Sequence, residues 1–336
     1  MASPTPRIGI LSIGDMGMGI AKLLVAHGFA VATNCKGRSA DTLERAQSAQ
    51  VEVLSSDEEL AQSCAVILSV VPPRDAEATA QRIADALTGP LRRPEGHEPL
   101  YFVDLNAVAP STVKRIAALF DGTGSRGPSA RFVDGCILGG PPSLLPSPNP
   151  TTTTTTTSEQ WKLPSIPTSG PHPLSSIPLF GAKLATVLNT RHLNAVVGSA
   201  SGLKMCFASL SKGYTALALQ AVTTAHRLSI LPELESSLRT IMPPAYYDNA
   251  VRGVTAMPPK AYRWVAEMEE IARTLSEEGG FSEDNSFRGA AEAFRIVAQD
   301  TVLGGEKIGR RERGTTVEDV ARAMAEGMEG RRKKDE

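Results

Sequence analysis

The chain has 336 residues and a formal net charge of −1, from 35 basic and 36 acidic side chains. Its length, against about 150 residues for a typical domain, predicts two domains, and its balanced charge excludes a global field for nucleic acid or an acidic membrane. Cys35, Cys64, Cys136 and Cys206 are far apart with no Cys-x-x-Cys pair, so no zinc site or disulfide framework is indicated and a reducing, cytoplasmic setting is expected.

Short apolar runs alternate with amphipathic stretches from the start. Residues 1–7 have no apolar core for a secretory signal. Residues 7–13 read as a buried strand and 17–27 as a helix broken by Gly28. Strands are predicted at 29–33, 51–53, 65–71, 100–104 and 131–134, with helices at 40–49, 75–87 and 110–120 between them. Strands separated by helices of this length imply an α/β Rossmann-like domain with a parallel sheet. Residues 141–178 are rich in Pro, Ser and Thr, with seven threonines at 151–157, and read as a disordered surface insertion. Residues 177–188 look like a return to the sheet. An all-α region follows, with helices at 195–228, 231–242, 261–278, 287–303 and 316–329. The predicted division is therefore a nucleotide-binding domain over 1–190 and a helical domain over 193–330. The apolar run from Ala195 to Ala225 carries Lys204 and Lys212 in its interior, which favours a buried helix over a membrane span.

Gly14-Asp15-Met16-Gly17 follows the first strand and opens the first helix. Glycines there let the backbone approach a pyrophosphate, and the helix N-terminus offers N–H groups and a favourable dipole. The usual Gly-x-Gly-x-x-Gly would begin at position 12, which is Ser12. After the second strand come Asn34, Lys36, Arg38 and Ser39, where a ribose selector belongs. No acid is present to hold the 2′-hydroxyl of NAD, whereas cations and donors suit a 2′-phosphate, so NADP is expected over NAD.

With these motifs the chain resembles the β-hydroxyacid dehydrogenase superfamily, which includes 6-phosphogluconate and 3-hydroxyisobutyrate dehydrogenases. Its C-terminal half resembles a branch with a phosphogluconate-dehydrogenase-like domain whose members mostly lack an assigned substrate. The resemblance implies cofactor contacts from Val71, Pro72 and Asn106, with Asn106 standing where the family has serine. It implies substrate contacts from Gly139 and Gly140, preceded by Leu138 in place of a serine, and a general acid/base at Lys204. The family's asparagine one turn after the lysine is Ala208. It also implies a homodimer. Lys204 lies among small and apolar residues, where desolvation can tune an amine for proton transfer. Lys212, two turns on, is a candidate for an anionic substrate group or for an ion pair with a neighbouring helix. The five scattered histidines have no metal-ligand spacing, and no metal site is expected. The expected function is NADP-dependent hydride transfer to or from a small, acidic hydroxy or keto substrate. A reductase of C=N bonds and a non-catalytic NADP-binding protein remain open alternatives.

Overall fold

A computed structural model describes residues 6–89, 98–121, 130–145 and 160–335. The chain divides into two compact units, Met1–Lys204 and Met205–Glu336.

The first unit is an eight-stranded sheet between helices. In chain order it contains β1 Arg7–Leu11, α1 Asp15–Ala26, β2 Ala30–Asn34, α2 Ala40–Ser48, β3 Glu52–Leu54, α3 Asp57–Ser63, β4 Val66–Ser69, α4 Ala76–Thr88, β5 Leu100–Asp104, α5 Pro110–Ala118 and β6 Ala130–Gly135. Then come β7 Ser143–Leu144, β8 Trp161–Lys162, β9 Ile166–Ser169, α6 Gly181–Val187, β10 Thr190–His192 and the start of α7 Ser199–Arg227. The strand order is β10-β9-β6-β5-β4-β1-β2-β3. The sheet is parallel from β3 through β6, as its nearly continuous apolar strands require when both faces are covered. One core layer packs Ile10, Leu24, Val31 and Leu184; the opposite layer packs Leu60, Ile67, Ile83 and Ile116. Phe102, Phe120 and Phe132 stack in the second layer, with centroids 4.5 to 6.2 Å apart. The strand order reverses between β1 and β4, which opens a crevice at their carboxyl ends.

Three expectations are corrected. First, residues 141–145 and 160–178 are ordered: β7 pairs antiparallel with β8, and β9 enters the main sheet. Their composition conceals a few apolar anchors, Ile166, Leu174 and Ile177, all buried in the first core layer. Pro167 cannot donate to the ladder, but its carbonyl accepts from Cys136 N at 3.0 Å. The threonine run 151–157 lies outside the described residues. Second, β9 runs antiparallel to β6 and parallel to β10, so the sheet is not parallel throughout. Third, residues 181–187 form α6 rather than a strand, because Leu184, Val187 and Leu188 bury one face at helical spacing. The sheet is rejoined only at β10.

The second unit holds the rest of α7, then α8 Leu231–Ile241, α9 Pro244–Ala256, α10 Ala261–Glu277, α11 Ser286–Asp300 and α12 Val317–Asp335. Its core includes Leu219, Val254, Met268, Ile271, Phe294 and Val297, all fully buried. Trp264 meets Phe294 edge to face at 5.2 Å. The helix α9 has no counterpart in the sequence reading; it starts with Pro244 in its first turn, where a missing N–H removes no helical bond. Among the described residues no helix is long and apolar enough to cross a membrane.

Candidate active site

The glycine turn stands at the carboxyl end of β1, beside the strand-order reversal. A Cβ on Gly17 would lie 2.0 Å from the Ser12 carbonyl oxygen, so only glycine lets α1 start so close to β1. Gly14 is different: a Cβ there would meet nothing nearer than Ser12 Oγ at 3.9 Å. The protein's own packing does not demand glycine at this position, whereas close approach by a ligand would. No side chain caps α1, whose N-cap is Gly14, so its first N–H groups face the open turn. Asp15 and Met16 lie in that first turn, and Met16 packs on the core. Ser12, at the position usual for a glycine, holds φ +78°. Arg45 of α2 donates from Nε to the Ile13 carbonyl at 2.8 Å and steadies the turn from behind. Sequence reasoning missed Arg45, because its partner is 32 residues away.

The loops after β4 and β5 are tied together by Asn106. Its Oδ1 accepts from Val71 N at 2.7 Å, and its Nδ2 donates to Ser69 Oγ at 3.0 Å and to Asp104 Oδ2 at 2.8 Å. Asn106 is buried, and through these bonds it acts as a strut between the loop that carries Val71 and Pro72 and the end of β5. Burial pushes the Asp104 carboxyl up to about 7, against bonds from Asn106 that favour its charged form.

The selector residues follow β2. Cys35–Arg38 is a tight turn closed by Arg38 N to Cys35 O at 3.0 Å, with Gly37 at φ +74°. Lys36, Arg38 and Ser39 are exposed on it. Ser39 precedes α2, and its hydroxyl lies 3.2 Å from that of Thr42. Asn34 spends its amide inside the protein, accepting from Lys36 N at 2.9 Å and donating to Asp57 at 2.8 Å.

Lys204 is half-buried and donates from Nζ to the Ile137 carbonyl at 2.8 Å. The helix that carries it is fastened to β6 by Asp134. One oxygen of this buried carboxylate accepts from Ser169 Oγ and from the backbone N–H groups of Gly198, Ala200 and Ser201; the other accepts from Ser201 Oγ at 2.7 Å. The acid thus caps the N-terminus of a long helix, where negative charge is favoured. Burial outweighs these donors and raises its pKa. Burial also pushes the neighbouring Cys136 thiol up to about 12, against the pull of Lys204, which leaves it a poor nucleophile. Asp134 is a second residue that sequence reasoning did not single out; an acid directly after the apolar pair Phe132-Val133 was the available signal.

Gly139 and Gly140 are exposed just past Ile137, with Gly139 at φ +125°. The backbone of Leu138 pairs with Ser165. Lys212 lies in the other unit, where it is paired with the buried Glu267 and sits 5.0 Å from the Trp264 ring centroid. Of its two sequence readings, the ion pair is the one observed.

Residues 7–91 match a family model described as NADP oxidoreductase, coenzyme F420-dependent, and residues 225–297 match a domain of unknown function, DUF1932. No curated protein matches the chain. Among solved structures, a conserved protein of unknown function described as similar to 3-hydroxyacid dehydrogenases is 24% identical over 87% of this chain and 96% of that one, with a TM-score of 0.56. A 3-hydroxyisobutyrate dehydrogenase from Salmonella typhimurium is 16% identical over 94% and 99%, with a TM-score of 0.60. Psf3 in complex with NADP+ and 2-OPP is 14% identical over 93% and 99%, with a TM-score of 0.51. The two models, in this order on this fold, bear out the resemblance read from the sequence. The fold is a Rossmann-like domain followed by an all-helical one, as in the hydroxyacid dehydrogenases.

Proposed function

We propose that the protein is an NADP-dependent oxidoreductase acting on a small, acidic hydroxy or keto compound, with Lys204 as general acid/base. The observation that carries this reading is that one compact unit holds both an uncapped helix start behind Gly14 and a lysine anchored on Ile137. The residues fit the cofactor: Gly14, Asp15, Met16 and Gly17 would take its pyrophosphate, Val71 and Pro72 would flank it, and Lys36, Arg38 and Ser39 would meet a 2′-phosphate. When bound, the nicotinamide supplies or accepts the hydride. The chain's own part is to manage one proton. Lys204 Nζ gives it to a carbonyl oxygen in reduction and takes it from a hydroxyl in oxidation. Ile137 O holds the ammonium in place, and Asp134 holds the helix start from which it projects. Gly139 and Gly140 leave room for the substrate beside that loop.

A reductase of C=N bonds is the second reading, favoured by Leu138, an apolar side chain where the resemblance puts a serine. NADP binding without turnover is the third. The test is NADPH oxidation by the full chain with a panel of small keto acids and of cyclic imines. Lys204→Ala is expected to lower kcat by about 10²- to 10⁴-fold with NADPH affinity unchanged. Near-normal turnover in Lys204→Ala would sink the lysine's role. Turnover confined to imines would favour the second reading, and none on either panel the third.

We also place the protein in the cytoplasm, where the buried thiols Cys35, Cys64 and Cys136 would stay reduced. It works there as a homodimer on a small-molecule substrate, with no nucleic-acid or membrane partner. The dimer is supported by Phe207, Leu210, Leu217 and Leu228, exposed along α7 and its end.

A further inference from the structure

The selector turn has a hidden acid behind it. Asp57, first residue of α3, has a side chain only 16% exposed and lies against Asn34 at the carboxyl end of β2. That is the place where NAD-preferring Rossmann folds keep the carboxylate that holds the ribose 2′-hydroxyl. The sequence shows no acid there because Asp57 arrives from the next crossover, 23 residues further on. Its charge is covered from α4: Arg82 donates Nε to Asp57 Oδ2 at 2.8 Å and Nη2 to Oδ1 at 3.0 Å. A planar two-point pair of this kind is the strongest neutralisation a carboxylate receives from one side chain. The same carboxylate takes Asn34 Nδ2, which leaves Asn34 Oδ1 to hold Lys36 N and so shape the turn that presents Lys36 and Arg38. All of these groups except Arg38 border one cavity of about 320 Å3, into which Glu58 and Asp85 add further negative charge. Three acids on that wall face only Arg82 and Lys36, so loss of Arg82 would leave Lys36 alone against them.

We infer that Arg82 sets the cofactor preference by masking Asp57, and that Asn34 transmits the result to the selector turn. This rests on the reading of the chain as NADP-dependent. Arg82 and Asn34 are positioning residues; Lys36 and Arg38 meet the phosphate. With Arg82 gone, Asp57 presents an uncompensated charge that repels a 2′-phosphate and accepts from a 2′-hydroxyl, so the preference turns towards NAD.

The test is titration of the full chain with NADPH and, separately, NADH, followed by nicotinamide fluorescence, for wild type, Arg82→Ala, Asp57→Asn and the double variant. Arg82→Ala is expected to weaken NADPH about tenfold while leaving NADH unchanged or tighter. The double variant is expected to recover NADPH binding to within about threefold of wild type, because the exposed charge is gone. A loss confined to NADPH, and reversed when the acid is removed as well, is what a merely structural ion pair would not give. The inference is overturned if Arg82→Ala weakens both nucleotides equally, or if Asp57→Asn in the double variant restores nothing. A wild-type chain that binds NADPH normally while Arg82→Ala keeps its preference would remove this inference alone. A wild-type chain that binds neither nucleotide would remove the NADP reading with it.

Discussion

Asp104 is a fully buried acid whose environment sets a pH dependence. Its carboxyl titrates near 7 in the folded protein, against an ordinary value of 3.8 in the unfolded chain. Between these values the native state keeps a proton that the unfolded state has lost. The group's contribution is therefore complete below about pH 4 and is lost as the pH rises through 7. Asn at this position has no such titration. The stability advantage of wild type over Asp104→Asn, from urea unfolding, is expected to be about 2–3 kcal/mol larger at pH 5 than at pH 8. A pH-independent difference would show that Asp104 stays ionised. Ser12 is another residue whose local chemistry is informative: a side chain held at positive φ beside the glycine turn carries strain that glycine would not.

At the scale of an element, α7 depends on a partner far away in sequence. Helix starts leave N–H groups unsatisfied, and those of α7 are met by Asp134 and Ser169, both more than 30 residues upstream. Hydrogen bonds to a charged acceptor are worth about 1.5–3 kcal/mol each, and they are not additive. Asp134→Asn is expected to lower stability by about 2–4 kcal/mol and to raise hydrogen exchange at residues 198–204. NADPH affinity should stay within about threefold, since the glycine turn hangs on β1 and α1 instead. Unchanged exchange at 198–204 would mean that the helix start does not need this acid.

At the scale of the whole molecule, the exposed apolar residues of α7 bear on assembly. Phe207, Leu210, Leu217 and Leu228 fall within about 80° of arc around the helix axis. Leu210 is 81% exposed and Leu217 64%. A stripe of this kind on a 29-residue helix suits the same stripe on a second copy. Light scattering behind size exclusion should give twice the chain mass for wild type and the single mass for Leu210→Glu/Leu217→Glu. A monomeric wild type at micromolar concentration would end the dimer proposal.

The parts legible in the sequence were those written in local periodicity. Apolar runs marked β1, β2, β4, β5 and β6, the glycine turn declared its strand-to-helix setting, and the long helix with Lys204 stood out by its length. What composition hid was order in residues 160–178, where Ile166, Leu174 and Ile177 suffice to anchor a Pro/Ser/Thr-rich stretch. By itself, then, the sequence determined the fold class and the candidates. Tertiary structure decided which polar side chains the protein uses on itself. Asn106, Asn34 and Lys212 are engaged internally, while Asp134, Arg45 and Arg82 act from 25 to 67 residues away from what they hold. A hydrogen bond needs two groups within about 3 Å, and no local pattern states which distant segment the fold will bring to that distance.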